Sequence, residues 1–466
     1  MKPSLVWFRD DLRVRDNPAL LAAVADGAAV GLFVLDEASP GVRPLGGAAK
    51  WWLHHGLEDL RRELDGLGIP LLLRRGPAAG AVAGVLGALD AQAVYWNRRY
   101  GGPEREVDAA VERRAGAAGI HAESFAANLL HEPGTVRTGQ GGPYRVFTPF
   151  WKAASARPVR SALGAPDAGR GAALPLPDGG RLEAWGLLPE KPDWAGGLRG
   201  AWEPGAAAGE RLLEDFASGP VRDYAADRDR PDVDGTSRLS PYLRWGHLSP
   251  FQVRDRLLAA DGGPGASVFA SQLGWREFCW HQLHEHPQLA TTNLRPEFDA
   301  FPWAWPQDGG DEAALAEAWR HGRTGLELVD AGQRELWATG WMHNRVRMVS
   351  ASFLVKNLGI HWRVGEEWFW DTLVDADAAL NPANWQWVAG SGADAAPFFR
   401  IFNPDTQARK FDPGRRYVSR WVPEAGTAAY PEPVVDLGAS RRRALEDLAS
   451  MRADRAPNPG APDPAV

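Results

Sequence analysis

The first 125 or so residues alternate between short apolar runs and amphipathic stretches, and this alternation constrains the fold more than any other feature. SLVWF, VGLFVLD, IPLLLRRG, AVYWNR and IHAESFA are too short and too continuously apolar for surface helices. Between them lie NPALLAAVADG, WWLHHGLEDLRRELDGLG, AVAGVLGALDA and VDAAVERRAGAAG, which carry helical spacing. Short apolar runs separated by helices describe a βα repeat, and strands apolar on both faces belong to a parallel sheet covered on both sides. Asn17-Pro18 is a helix start, and Asp26-Gly27 and Gly66 are helix ends. The expectation is a doubly wound α/β domain over 1–128.

From 129 to 205 the pattern lapses into Gly, Pro and Arg, as in GAPDAGRGAALPLPDGG, which reads as a long surface connector. After 206 the segments turn helical and Pro-bounded with no alternation of period two, so 206–454 is expected to be an all-α domain. The Pro-rich end, 455–466, is expected to be disordered. At 466 residues the chain exceeds one ordinary domain. No apolar run is long enough to span a bilayer, and the charged N-terminus does not fit a signal peptide, which points to a cytoplasmic, monomeric enzyme. One cysteine, Cys279, excludes an internal disulfide framework and a cysteine-based zinc site. His281, His284 and His286 lie close together without a further ligand motif, so no metal is expected. A net charge of −7 argues against a generally basic surface but leaves room for a focused basic groove.

Chemistry concentrates in the second half. Residues 371–404 place Asp375 and Asp377 among small apolar residues, followed by Asn381, Trp385 and Trp387. Charges and indole N–H groups need partners when buried, so this segment reads as the lining of a pocket for an aromatic, polar ligand. Tryptophan is abundant, 22 against 7 tyrosines, which suits stacking or electron transfer. GTSRLSPYLRWGHLSP (235–250) gathers hydroxyls and a guanidinium at a helix mouth, a pattern that suits a pyrophosphate and also describes a capped helix with a surface arginine. In WATGWMHNRVRM, Trp341, Asn344, Arg345 and Met348 fall on one helical face, while Arg347 points elsewhere, toward a buried aspartate. In QLGWREF, Gln272, Trp275 and Arg276 lie along one face.

Taken together, VWFRDDLRVRDNPAL, GTSRLSPYL, QLGWREF, ATGWMHNRVRM, DADAALNPANWQW and FFRIFNP, in this order, resemble the cryptochrome/photolyase family, closest to its class I cyclobutane pyrimidine dimer enzymes. The resemblance implies an α/β antenna domain, a helical domain holding FAD, and light-driven electron transfer from reduced FAD to a dimer flipped out of ultraviolet-damaged DNA. By position, Tyr224, Thr236, Ser237, Arg238, Leu239, Ser240 and Arg276 would hold the FAD phosphates. Gln272, Trp341, Asn344, Arg347, Asp375, Asp377 and Asn381 would surround the rest of the cofactor, with Asn381 facing flavin N5. Trp385, Trp362 and Trp303 would carry electrons from the surface, with Trp305 as the alternate outer ring. Trp275, Trp387 and Met348 would meet the dimer, and Arg228, Arg345, Arg400, Gln407 and Lys410 the DNA or the cavity rim.

Two departures stand out. Gln272 occupies a position where class I enzymes carry glutamate, so a titratable proton is lost from the cavity and slower repair is expected. TGLELVDAGQREL also differs from the family and has no functional account. An antenna chromophore, methenyltetrahydrofolate or 8-hydroxydeazaflavin, is matched only by Glu104, and an empty antenna site stays open. The rivals are a cryptochrome-type photoreceptor and a non-photochemical FAD oxidoreductase.

Overall fold

The computed structural model describes residues 2–167, 176–260, 263–306, 310–395 and 399–453; the expected disordered tail lies outside the described residues. Five strands, β1 (Ser4–Phe8), β2 (Ala29–Leu35), β3 (Leu71–Arg75), β4 (Ala93–Asn97) and β5 (His121–Phe125), form one parallel sheet in the order β3-β2-β1-β4-β5. Helices α1 (Pro18–Ala25), α2 (Gly47–Gly66), α3 (Ala78–Ala88) and α4 (Gly102–Ala117) fill the crossovers, as the alternation requires. β1 and β2 are buried along their whole length because helices cover both faces. Asn17 caps α1 through its side chain, with Pro18 in the first turn.

The connector is a correction. It contains α5 (Phe147–Ser155) and α6 (Gly196–Ala201), and Leu182, Trp185, Leu187, Leu198 and Trp202 enter the same core as the sheet. A few large apolar residues are enough to pull a Gly- and Pro-rich segment inward.

The helical half follows with α7 (Ala206–Ser218), α8 (Tyr224–Asp227), α9 (Ser240–Arg244), α10 (Pro250–Leu258), α11 (Gly263–Glu285) and α12 (Asp311–Arg320). It continues with α13 (Glu327–Thr339), α14 (Asn344–Ser352), α15 (Trp362–Thr372), α16 (Leu380–Ala389), α17 (Pro404–Phe411), α18 (Arg416–Trp421) and α19 (Leu437–Ala453). None of the described helices is long and apolar enough to cross a membrane.

Polar contacts stitch the halves together. The backbone N–H of Leu12 donates to Trp245 O at 3.0 Å, Arg13 to Gly246 O at 2.9 Å, and Arg244 pairs with Asp10 at 2.6 Å. His247 is buried; Trp52 of α2 donates to its Nε2 (3.1 Å), and its Nδ1 lies 3.0 Å from Leu12 O. Gly246 is required here, because its φ is +64° and a Cβ would fall 2.2 Å from Asp10 O.

Candidate active site

A cavity of about 510 Å³ opens within the helical half. Its wall is built by the 236–244 segment, α11, α14 and α16, with Tyr224 and Arg228 from α8 and the residue after it. Every residue expected to bind FAD lines it: Tyr224, Thr236, Ser237, Arg238, Leu239, Ser240, Gln272, Arg276, Trp341, Asn344, Arg347, Asp375, Asp377 and Asn381.

The 236–240 segment differs from the expected helix mouth. α9 is only five residues long, too short to offer a substantial dipole, and Arg238 just before it adopts φ +53°. What this segment offers an anion is therefore its side chains and loop N–H groups rather than a helix dipole. Arg238 makes no hydrogen bond or ion pair among the described residues; its guanidinium stands over Trp202 (4.4 Å) and Trp341 (5.1 Å), and burial lowers its pKa. A half-buried cation facing a cavity, influenced by Glu335 and Asp234 but in a direct ion pair with neither, suits a phosphate. Arg244, four residues past the expected phosphate-binding run that ends at Ser240, also lines the cavity and binds Ala376 O (2.7 Å).

At the other side, Arg347 grips Asp375 through two hydrogen bonds (3.1 and 2.9 Å), the pair anticipated from the sequence. Asp377 accepts from the backbone N–H groups of Ala379 and Leu380 (2.8 and 3.0 Å), which fixes the entry into α16. Asn381 spends its amide nitrogen on Glu366 (2.8 and 3.0 Å). Glu366 and Arg43, which holds it, were missed. Glu366 lies one turn after Trp362 on the buried face of α15, a readable signal; Arg43 lies 323 residues away and is not.

α14 corrects the expected Trp341 stripe. Gly340 closes α13 with φ +67°, and α14 starts at Asn344 behind His343, whose ring caps it. Trp341 therefore precedes the helix, although it, Asn344 and Met348 still face the cavity. Arg345 turns outward to Asp229 (2.6 Å) and over Phe411 (4.5 Å).

Gln272 is committed. Its Oε1 accepts from Arg228 (3.2 Å), and its Nε2 donates to Val268 O (3.3 Å) and Ser271 Oγ (3.1 Å). Trp275 and Trp387 both line the cavity; Trp275 stacks on Phe147 at 3.9 Å, and Arg400 lies 5.1 Å over Trp387. Gln407 and Lys410 sit on α17, outside the cavity lining, beside Phe411 and hence near Arg345.

The tryptophan series runs outward through α15. Trp385 lines the cavity, Trp362 is fully buried and donates to Asn293 (2.9 Å), and the His361 ring lies 5.5 Å from Trp362. Trp303 and Trp305 flank His361 at 5.2 and 4.2 Å. Trp303 is 8% exposed and Trp305 47%, so of the two candidate outer rings it is Trp305 that reaches solvent. Glu104 does not line this cavity; its charge faces Arg99 and Arg244. The Nε2–H of His281 donates to His131 O (3.2 Å), and His281 groups with no metal-binding set among the described residues.

A family model for DNA photolyase matches residues 4–167, and one for the FAD binding domain of DNA photolyase matches residues 269–429. The chain is 44% identical to a deoxyribodipyrimidine photo-lyase of Agrobacterium fabrum, over 97% of this chain and 98% of that one. The chain belongs to the DNA photolyase family. It is also 35% identical to cryptochrome-1 of Arabidopsis thaliana, over 96% of this chain and 70% of that protein. The crystal structure of a bacterial class III photolyase from Agrobacterium tumefaciens superposes with a TM-score of 0.92 at 42% identity, covering 97% and 98% of the two chains. This photolyase-family chain thus has the α/β plus helical fold that its motifs implied, and it carries the family's FAD-binding domain.

Proposed function

We propose that the protein is a light-driven lyase that splits cyclobutane pyrimidine dimers in ultraviolet-damaged DNA. The observation that carries this reading is the shared cavity: Trp275 and Trp387 line the same space as the FAD-binding set. Photolyases are among the enzymes that extrude their target from the duplex, and two indoles in a polar pocket supply faces on which an extruded pyrimidine pair can stack. FAD, when bound and reduced, supplies the photoexcited electron. The chain itself positions the reactants: Arg238 meets the phosphates, Arg347 and Asp375 frame the ring system, and Trp385, Trp362 and Trp305 form the aromatic series that restores reducing equivalents. Arg228, Arg345, Arg400 and Lys410 supply cations near the mouth for the DNA backbone. Likeness to a class III enzyme favours placing the protein beside that class rather than class I.

Gln272 offers the substrate no acidic proton, and its hydrogen bonds are already taken, so repair should be slower than with glutamate there. Dimer loss in illuminated, ultraviolet-treated DNA tests the proposal, with Gln272→Glu expected to repair faster. No dimer loss with the wild type overturns it. The second reading, a cryptochrome-type photoreceptor, is favoured by the identity to cryptochrome-1 and by the occupied Gln272. It predicts equal binding of damaged and undamaged DNA, whereas the lyase should prefer damaged DNA at moderate salt.

For an antenna, a second cavity of about 590 Å³ is a better place than Glu104. Trp51 and Trp202 wall it together with Arg61, Arg62, Arg199, Glu58 and Glu203, so it offers aromatic faces and mixed charge to a planar chromophore. An absorption band beyond those of flavin in the purified protein, lost in Arg61→Ala while bound flavin is unchanged, would support that assignment.

A further inference from the structure

Outside the FAD cavity, three donor side chains converge on one point of α2. His54 and His55 precede Glu58 by one helical turn, which brings both rings to the same carboxylate. His54 Nε2 lies 3.6 Å from Glu58 Oε1, and His55 Nδ1 lies 3.0 Å from Oε2. One donor atom from each of the three stands within 4.8 Å of the other two. His281, His284 and His286, the histidines conspicuous in the sequence, form no such set among the described residues.

Two observations separate this cluster from an ordinary surface pair. His54 is only 7% exposed, yet its Nδ1 has no partner among the described residues, and 3.6 Å puts its Nε2 beyond hydrogen-bond reach of Glu58. A buried imidazole left in that state is costly, and a ligand at Nε2 relieves part of the cost. Glu58, with Arg61 and Arg62 one turn further along the helix, nevertheless turns its oxygens to the two imidazoles. The neighbouring cations are engaged elsewhere: Arg62 pairs with Asp59 at 2.7 Å, Arg199 with Asp193 at 2.6 Å, and Arg61 faces Glu183.

We propose that His54, His55 and Glu58 form a binding site for a divalent cation of the zinc class. Such ions take imidazole and carboxylate donors at about 2.0 to 2.2 Å, which sets tetrahedral ligands about 3.4 Å apart. The separations of 3.0 and 3.6 Å bracket that spacing, so the three side chains need little movement to close on an ion. Two imidazoles and a carboxylate leave a fourth position open. His55 and Glu58 line the cavity of about 590 Å³, from which water or a ligand can fill it. The site is independent of the FAD reading, because none of its residues lines the FAD cavity.

The test titrates Zn2+ into the flavin-loaded full chain, first stripped of metal with a chelator, by isothermal titration calorimetry. One Zn2+ should bind per chain, and His55→Ala and Glu58→Gln should each weaken it by at least about tenfold, the least that losing even an outer-sphere partner costs such sites. His321→Ala, which removes half of an ordinary helix pair with Glu317, should leave the affinity unchanged. Cu2+ bound in place of Zn2+ should show splitting from two nitrogens by electron paramagnetic resonance, and from one in His55→Ala. Absence of saturable binding at millimolar Zn2+, or an affinity that neither His55→Ala nor Glu58→Gln changes, overturns the proposal. Should His55→Ala lose its flavin or fail to fold, the affinity of Glu58→Gln decides alone.

Discussion

Arg347 and Asp375 carry the largest single-residue consequence in the cavity wall. Asp375 is nearly inaccessible and both of its oxygens are held by the guanidinium. Removing the cation strands a buried carboxylate, so Arg347→Met should lower the unfolding free energy by about 3 kcal/mol, measured by urea denaturation, and release FAD on gel filtration. Asp375→Asn should cost less, because a neutral amide can still accept from the arginine. Trp387 tests the substrate side: Trp387→Ala should weaken damaged-DNA binding by roughly 1 to 3 kcal/mol in a gel-shift titration and leave FAD content unchanged. Much of this wall was legible in the sequence, since Asp375, Asn381 and Trp385 are chemically conspicuous among alanines. What Gln272 binds was not legible, because its partner Arg228 is 44 residues away and only folding brings them together.

Helix packing makes its own demands. Gly365 on α15 faces the Trp385 ring of α16, and a Cβ there would fall 2.1 Å from Cη2. Gly365→Ala should therefore cost roughly 1 to 3 kcal/mol in thermal or urea unfolding and shift the Trp385 fluorescence. His247 links the segment after α9 to α2, and burial pushes its pKa down to about 4 from 6.5. A depressed histidine adds stability that is complete above pH 6.5 and is lost as pH falls toward 4, where the unfolded chain takes up the proton first. The loss should reach about 3 kcal/mol between pH 7 and 4 in urea titrations, and His247→Gln should flatten that dependence. The βα elements were legible because their periodicity is local. The break between α13 and α14 was hidden, since Trp341, Asn344 and Met348 keep helical spacing although residues 341–343 precede α14, and the left-handed backbone of Gly340 ends the first helix. In the connector, glycine and proline outnumbered Trp185 and Trp202, whose burial is decided by distant partners.

Across the whole molecule, a chain of net charge −7 must bind a polyanion through a confined patch. Arg228 and Arg400 border the cavity, Arg345 stands beside them through Asp229, and Lys410 lies on α17 next to Phe411. Lys410→Ala should weaken binding to damaged and undamaged DNA alike and reduce the slope of log affinity against log salt by about one, read from filter binding at several salt concentrations. Trp387→Ala, in contrast, should leave that slope intact. The core running without interruption from the sheet through Trp52, Trp202 and Tyr242 to Trp341 and Val374 bears on how variants of this protein are interpreted. A substitution in β1 or α2 strains the same apolar mass that backs the cofactor wall. Loss of repair in such a strain is therefore no sign of impaired light harvesting until bound flavin has been counted, and a genetic screen for antenna residues would otherwise collect mutants that have merely shed their cofactor.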